Sequence, residues 1–306
     1  MSHSSAFRIK VPGSTSNLGP GFDSIGLAMN RYLILDAEPS ERWSFRYLDQ
    51  PDFHPEVEDN LIYNTAKQVA GKYHSELPAY SVDVTSDIPL ARGLGSSGAA
   101  IIAGIELADS AIGLGLSPEE KSWIACQAEG HPDNVTASLY GGLVVSTQSE
   151  TGVQSVKLPA PDFDFVTLIP GFELKTSDAR GVLPSSLSFR DAIEGSSVAN
   201  VLICALLNQD GALAGKMMES DRFHQPYRSR LIPDLDKIGK EARKAGAYGT
   251  FLSGAGPTVM SLTPKNRSQA VCALLQSLFP DDRCVVLSPV GQGSSVYVVS
   301  DHPEKN

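Results

Sequence analysis

The segment PLARGLGSSGAA, residues 89–100, places three glycines and two serines directly ahead of an apolar run. Gly93 and Gly95 let the chain turn so that successive backbone N–H groups face one concavity. A helix starting behind them adds unpaired donors and the positive end of its dipole. That combination cradles phosphate. The Gly-Lys-Ser/Thr tail of a P-loop is missing, which excludes that signature. A strand-to-helix turn packed with small residues fits the same letters.

Three further stretches carry chemistry-bearing side chains. VPGSTSNLGPGFDSIGLAM, residues 11–29, is rich in turn formers and holds Asn17 and a single charge, Asp23, between Phe22 and Ile25; the composition predicts a loop. EGHPDNV, residues 129–135, gathers Glu129, His131, Asp133 and Asn134. Magnesium favours one or two carboxylates together with substrate phosphates, so Glu129 or Asp133 suits it, and ordinary helix capping suits the same residues. SGAGPT, residues 253–258, is a second glycine turn that fits a hairpin.

The elements that must position these residues follow from periodicity. Phe7, Ile9 and Val11 alternate with polar residues, as do Trp43, Phe45 and Tyr47, and Tyr80, Val82 and Val84; each set predicts a strand. Asp59 or Asn60 caps a helix facing inward through Ile62, Ala66, Val69 and Tyr73. AAIIAGIELADSAIGL, apolar almost all round, predicts a buried helix, and SPEE at 117–120 predicts the next helix start through a capping box. GGLVVST returns to strand, and the polar, proline-punctuated stretch over 150–162 predicts a domain boundary. Beyond it FVTLIPG, CVVLS and VYVVS predict strands. VANVLICALL, LDKIGKEARKAG and AVCALLQSLF predict helices, and YGTFLSGAGPTVMSL two strands joined by a glycine turn. The second half is therefore α+β.

At 306 residues the chain is long for one core, so two domains are expected. A net charge of -10 argues against nucleic acid or an anionic membrane as the main partner. Cys126, Cys204, Cys272 and Cys284 are spread without CxxC or CxxH spacing, so a disulfide scaffold or zinc site is not expected and a reducing cytoplasm fits. MSHSSAFRIK lacks the apolar core of a signal peptide, and no apolar run is long enough for a bilayer.

Singly these motifs are weak; their order along the chain is specific. PLARGLGSSGAA resembles the central ATP-binding signature of the GHMP kinases, the family named for galacto-, homoserine, mevalonate and phosphomevalonate kinases. Residues 11–29 and SGAGPT occupy the places of its first and third motifs. NLGPGFDSIGLA, EGHPDNV and FLSGAGPTV are similar to its homoserine kinase branch. Gly98 departs from the commoner alanine, and Glu129 and His131 stand closer than in some members.

The resemblance implies an α+β GHMP kinase fold. An N-terminal α/β domain like domain 2 of ribosomal protein S5, residues 1–155, would precede a ferredoxin-like domain, residues 156–306. It implies ATP phosphates over Pro89, Leu90, Ala91, Arg92, Gly93, Leu94, Gly95, Ser96, Ser97, Gly98 and Ala99, and adenine near Asn60, Ile62 and Tyr63. Mg2+ would be held by Ser97 and Glu129. The acceptor would be L-homoserine, with its ammonium and hydroxyl on Asn17, Asp23, His131 and Asn134, beside Gly254. Arg180 in KTSDAR and Arg228 in HQPYR would take its carboxylate, since guanidinium grips carboxylate bidentately. Asn134, Thr176 and Ser97 would orient the reacting groups, and Asp133 is left open as a base. Family members often form homodimers. Another small alcohol such as threonine or mevalonate, or a non-catalytic sensor, is the alternative; intact glycines, Ser97 and Glu129 speak against the sensor.

Overall fold

The computed structural model describes residues 5–50 and 52–299. The start of MSHSSAFRIK and the end of VYVVS lie outside the described residues. Strands β1 (Phe7–Asn17) and β2 (Gly21–Pro39) pair antiparallel along most of their length. One half of β2 pairs with β4 (Tyr80–Ser86), which carries β3 (Ser44–Tyr47) in parallel; the other half pairs with β5 (Leu143–Ser149), itself paired to β6 (Gly152–Leu158). The helices of this half are α1 (Leu61–Lys72), α2 (Ser96–Ile112), α3 (Pro118–Glu129) and α4 (Asp133–Tyr140).

The second sheet has four strands: β7 (Asp164–Ile169), β8 (Gly249–Leu252), β9 (Val259–Thr263) and β10 (Arg283–Leu287), in the order β10-β7-β9-β8. All its pairings are antiparallel, giving the ferredoxin-like arrangement. Helices α5 (Thr176–Gly181), α6 (Phe189–Leu207), α7 (Gly211–Met218), α8 (Gln225–Arg228) and α9 (Leu235–Lys244) lie between β7 and β8, and α10 (Ser268–Leu278) follows β9. Strand alternation divides this sheet's two faces. Phe165 and Phe251 join the main core with Leu202 and Met218, whereas Val166 and Leu252 pack with Ile238 and Val271 beneath α9 and α10. No helix among the described residues is long and apolar enough to cross a membrane.

Local signals were decisive at helix ends. Asn60, rather than Asp59, caps α1: its Oδ1 accepts N–H bonds from Ile62 at 2.9 Å and Tyr63 at 3.3 Å. Ser117 and Glu120 form both arms of the capping box of α3. The all-round apolar character of α2 matches its position against β1, α1, α3 and α4. Its one buried charge, Glu106, bonds Lys121 Nζ and the Ser294 hydroxyl, each at 2.7 Å.

The structure differs from the sequence reading at residues 11–29, which form the turn end of the β1–β2 pair rather than a loop. Alternation was masked because Ser14, Thr15 and Ser16 are buried with hydroxyls hydrogen-bonded to Asn134 and Ser253. The boundary stretch over 150–162 contains β6, paired to β5, so the 155/156 division falls inside a strand. The final strand β11 (Ser295–Val298) returns to the first sheet and pairs with β1.

Candidate active site

One cleft of about 250 Å³ opens where the β1–β2 turn, the start of α2, the start of α4, the start of α5 and the 253–258 turn converge. Gly93 and Gly95 both have positive φ, 79° and 71°, the left-handed region that favours glycine. A Cβ on Gly93 would stand 2.3 Å from the Ser253 carbonyl oxygen, and one on Gly95 would stand 2.2 Å from Ser14 Oγ. The loop therefore lies against β1 and the 253–258 turn with no space for a side chain. Ser253 Oγ donates to the Gly93 carbonyl at 2.6 Å, and the Gly254 N–H donates to the Ser16 carbonyl at 3.2 Å. The three glycine-rich segments thus interlock. Helix α2 has Gly95 as its N-cap, with no side-chain cap, and its first intrahelical bond runs from Ala99 N–H to the Gly95 carbonyl. The preceding N–H groups, of Ser96, Ser97 and Gly98, form the anion-attracting end.

Of residues 89–99, Ala91, Arg92, Gly93, Gly95, Ser96 and Ser97 line the cleft. Leu94, Gly98 and Ala99 are buried behind it, Leu90 lines a neighbouring cavity, and Pro89 lines neither. Arg92 ties the loop to the second sheet by donating to the Pro170 and Gly171 carbonyls at 3.1 and 3.0 Å. The neighbouring cavity, about 290 Å³, is lined by Tyr47, Phe53, Asn60, Ile62 and Ala100 and shares Ser96 and Ser97 with the cleft. Its apolar walls suit a flat base. Tyr63 lines neither space; its ring stands edge-on to Trp43 at 5.3 Å.

Ser97 Oγ donates to Glu129 Oε2 at 2.7 Å on the cleft wall. Two hard oxygen donors beside the N–H groups of a helix start are the ligand chemistry of a small divalent cation, so these residues fit magnesium.

Asn134 is fixed at both ends: Oδ1 accepts from Ser14 at 3.0 Å and Nδ2 donates to Ser16 Oγ at 2.9 Å. Asn17 spans the turn, accepting the Asp23 N–H and donating to the Gly254 carbonyl, both at 3.0 Å. His131 Nδ1 and Asp133 Oδ1 stand 2.5 Å apart. Burial acts to lower the His131 pKa, but the Asp133 bond and charge outweigh it and hold the pKa above the ordinary value. For Asp133 burial acts upward, and the His131 bond and charge with the Asn134 N–H bring it below the usual carboxylate range.

These directions fix a pH dependence. The Asp133 contribution to stability is present above its unfolded value near 3.8 and is lost as pH falls through its lowered folded value. The His131 contribution is present below its unfolded value near 6.5 and is lost as pH rises through its raised folded value. His131→Gln therefore costs most stability near pH ~5, on the order of 2 kcal/mol. The gap from wild type narrows on both sides in urea unfolding; a pH-independent gap would contradict the pairing.

Arg180 and Arg228 reach the cleft from α5 and α8. Arg228 is 2 % exposed; its Nε donates to the Ala179 carbonyl at 3.1 Å and its Nη1 to the Gly254 carbonyl at 3.0 Å. Burial, and next the like charge of Arg180, lower its pKa to about 10, so it remains a cation at neutral pH. Arg180 grips Asp23 through two bonds, 3.0 and 2.7 Å. Thr176 lines the cleft beside Lys175.

Two residues at this site escaped sequence reasoning. Phe22 stacks on His224 at 5.4 Å, with the Arg228 and Arg180 guanidinium carbons 5.2 and 5.5 Å from its ring centre. His224 is fully buried, and burial drives its pKa down to about 4, with Arg228 adding to the shift against Asp221. Neutral His224 donates from Nε2 to the Gly19 carbonyl at 2.9 Å and accepts from Arg228 Nη1 at 3.1 Å. The signal was the four-residue spacing in HQPYR, which puts His224 and Arg228 on one helical face.

The family profile for the GHMP kinases N terminal domain matches residues 60–142, and that for GHMP kinases C terminal matches residues 202–281. The chain is 49% identical over 294 residues to the homoserine kinase of Shouchella clausii, covering 96% of this chain and 99% of that one. It is 48% identical over 291 residues to the homoserine kinase of Bacillus velezensis, covering 95% and 94%. The crystal structure of the Cytophaga hutchinsonii homoserine kinase superposes with a TM-score of 0.83 at 27% identity, covering 97% of this chain and 99% of that chain. Matched in order by both halves of the family, and close to half identical to relatives along nearly its whole length, the chain belongs to the GHMP kinases.

Proposed function

We propose that the protein is a homoserine kinase, transferring the γ-phosphoryl group of ATP to the side-chain hydroxyl of L-homoserine to give O-phospho-L-homoserine and ADP, a step of threonine biosynthesis. The observation that carries this is the shared cleft. The α2 N-terminus with Ser97 and Glu129 lines one space together with Asp23, Arg180 and Arg228. Anion donors and groups complementary to an amino-acid end in one cleft suit transfer between the two.

In this reading the half comprising residues 1–155 holds the nucleotide, and that comprising 156–306 supplies the arginines. Adenine lies against Ile62, Phe53 and Tyr47, and the phosphates meet the N–H groups at Ser96 and Ser97. Mg2+ is held by Ser97 and Glu129, where it supplies neutralisation of phosphate charge. Arg228 and Arg180 take the homoserine carboxylate, Asp23 and Asn17 its ammonium, and Asn134, Thr176 and His131 line the path of the hydroxyl. The new O–P bond forms as the bond from the γ-phosphorus to the β–γ bridging oxygen breaks, and the hydroxyl proton is released. Phosphoryl transfer depends mainly on alignment and charge stabilisation. With its pKa lowered, Asp133 is a weak base and acts here by orienting His131 and raising its pKa. The reading includes a homodimer, which sedimentation of the purified chain tests, and a cytoplasmic location, which cell fractionation tests.

ADP release with Mg-ATP and a panel of alcohols tests the assignment. Homoserine should drive turnover, threonine much less and mevalonate not at all. Equal turnover with mevalonate would overturn it.

A further inference from the structure

The two groups assigned to the opposite charges on the α-carbon of homoserine are bonded to each other. Arg180 Nη1 and Nη2 donate to Asp23 Oδ2 and Oδ1, with the side chains 37% and 34% exposed on the cleft wall. Arg228 differs in kind. Its Nε and Nη1 are committed to the Ala179 and Gly254 carbonyls and to His224, while Nη2 has no hydrogen bond among the described residues. One guanidinium is therefore fixed, and the other is held by a charge partner that a ligand can replace, with the Phe22 ring 5.5 Å from its Cζ.

We infer that the Arg180–Asp23 ion pair occupies the place of an α-amino-acid zwitterion and selects acceptors by exchange. The ligand carboxylate takes Arg180 while the adjacent ammonium takes the Asp23 it releases. This rests on the acceptor assignment above and adds a rule of admission to it. Glu129, His131, Asp133 and Arg228 line the same cleft, with atoms of Asp133 and His131 within 4.8 Å of Asp23, so Asp23 deprived of Arg180 loses two charge-assisted bonds and stays beside a buried carboxylate. A ligand with a carboxylate but no ammonium must leave Asp23 in that state. A ligand with an ammonium but no carboxylate gives Arg180 nothing in return. Only adjacent opposite charges exchange pair for pair, a form of selection that works by penalising the wrong ligand.

The test is calorimetric titration of the whole chain, without nucleotide, using homoserine, γ-hydroxybutyrate (no ammonium) and propanolamine (no carboxylate). Asp23→Asn suits the backbone, since Asp23 has φ 53° and asparagine tolerates that region. It should weaken homoserine by about tenfold or more and tighten γ-hydroxybutyrate by about tenfold, because Arg180 is then free. Arg180→Gln should do the reciprocal, weakening homoserine and tightening propanolamine. Glu129→Gln removes a negative charge from the same cleft without releasing Arg180, and should tighten γ-hydroxybutyrate clearly less than Asp23→Asn does; an equal gain would reduce the effect to net charge and overturn the exchange. Thermal unfolding of each variant confirms that folded protein was titrated. Weaker homoserine binding with γ-hydroxybutyrate and propanolamine unchanged would overturn the exchange and leave the acceptor assignment standing. Unchanged homoserine binding in Asp23→Asn would overturn the assignment itself.

Discussion

Gly93→Ala should lower kcat/KM for ATP on the order of 100-fold or more, whereas Gly113→Ala should leave turnover near wild type. Both glycines are left-handed, at φ 79° and 74°. Each substitution therefore carries a backbone strain of about 1 kcal/mol, visible as a modest fall in Tm. They differ in what the new methyl meets. At Gly113 nothing lies within 4 Å, but at Gly93 the Cβ falls 2.3 Å from the Ser253 carbonyl oxygen and 3.0 Å from that of Gly256. Neither obstacle is a flexible side chain, so the loop or the 253–258 turn must shift. Such a shift breaks the Ser253-to-Gly93 bond and moves the N–H groups ahead of α2. Misplacement by about 1 Å is enough to cost two orders of magnitude in an aligned transfer. Steady-state kinetics on both variants, at matched folded fraction, checks the difference; equal activity would remove the loop from the reaction.

Arg228→Ala should raise KM for homoserine on the order of 100-fold and leave KM for ATP within about threefold. The guanidinium is desolvated and held in place, so in the proposed role its Nη2 would meet a ligand carboxylate without first being ordered. Truncation also strips the donor from the Ala179 and Gly254 carbonyls and from His224 Nδ1, each loss costing about 1–3 kcal/mol if water does not replace it. Arg228→Lys keeps a cation but loses the planar fork and should recover part of the affinity. A parallel rise in both Michaelis constants would contradict the carboxylate role.

What the sequence disclosed was governed by distance along the chain. Asn60 at the start of α1 and the Ser117–Glu120 box were legible because their partners lie two or three residues away. The glycine turn ahead of α2 was legible because glycine spacing and a helix start are local. The pairing of Asp23 with Arg180 joins residues 157 apart, and His224 reaches Gly19 across 205. No periodicity reports such contacts. Phe22 gave the appearance of a turn-flanking apolar residue, and its place between His224 and two guanidinium groups depends on α5 and α8 meeting the β1–β2 turn. The strands over 11–29 were hidden for a related reason: buried serines satisfied by distant Asn134 and Ser253 read as loop polarity. Family resemblance, not pattern, connected the separate motifs into one site.

The most direct test is a crystal structure of the chain with a non-hydrolysable ATP analogue, Mg2+ and homoserine. The account places the triphosphate against the N–H groups of Ser96 and Ser97, the base beside Ile62 and Phe53, and the homoserine carboxylate on Arg228 and Arg180. A triphosphate bound outside this cleft, or homoserine turned with its ammonium toward Arg228, would contradict it.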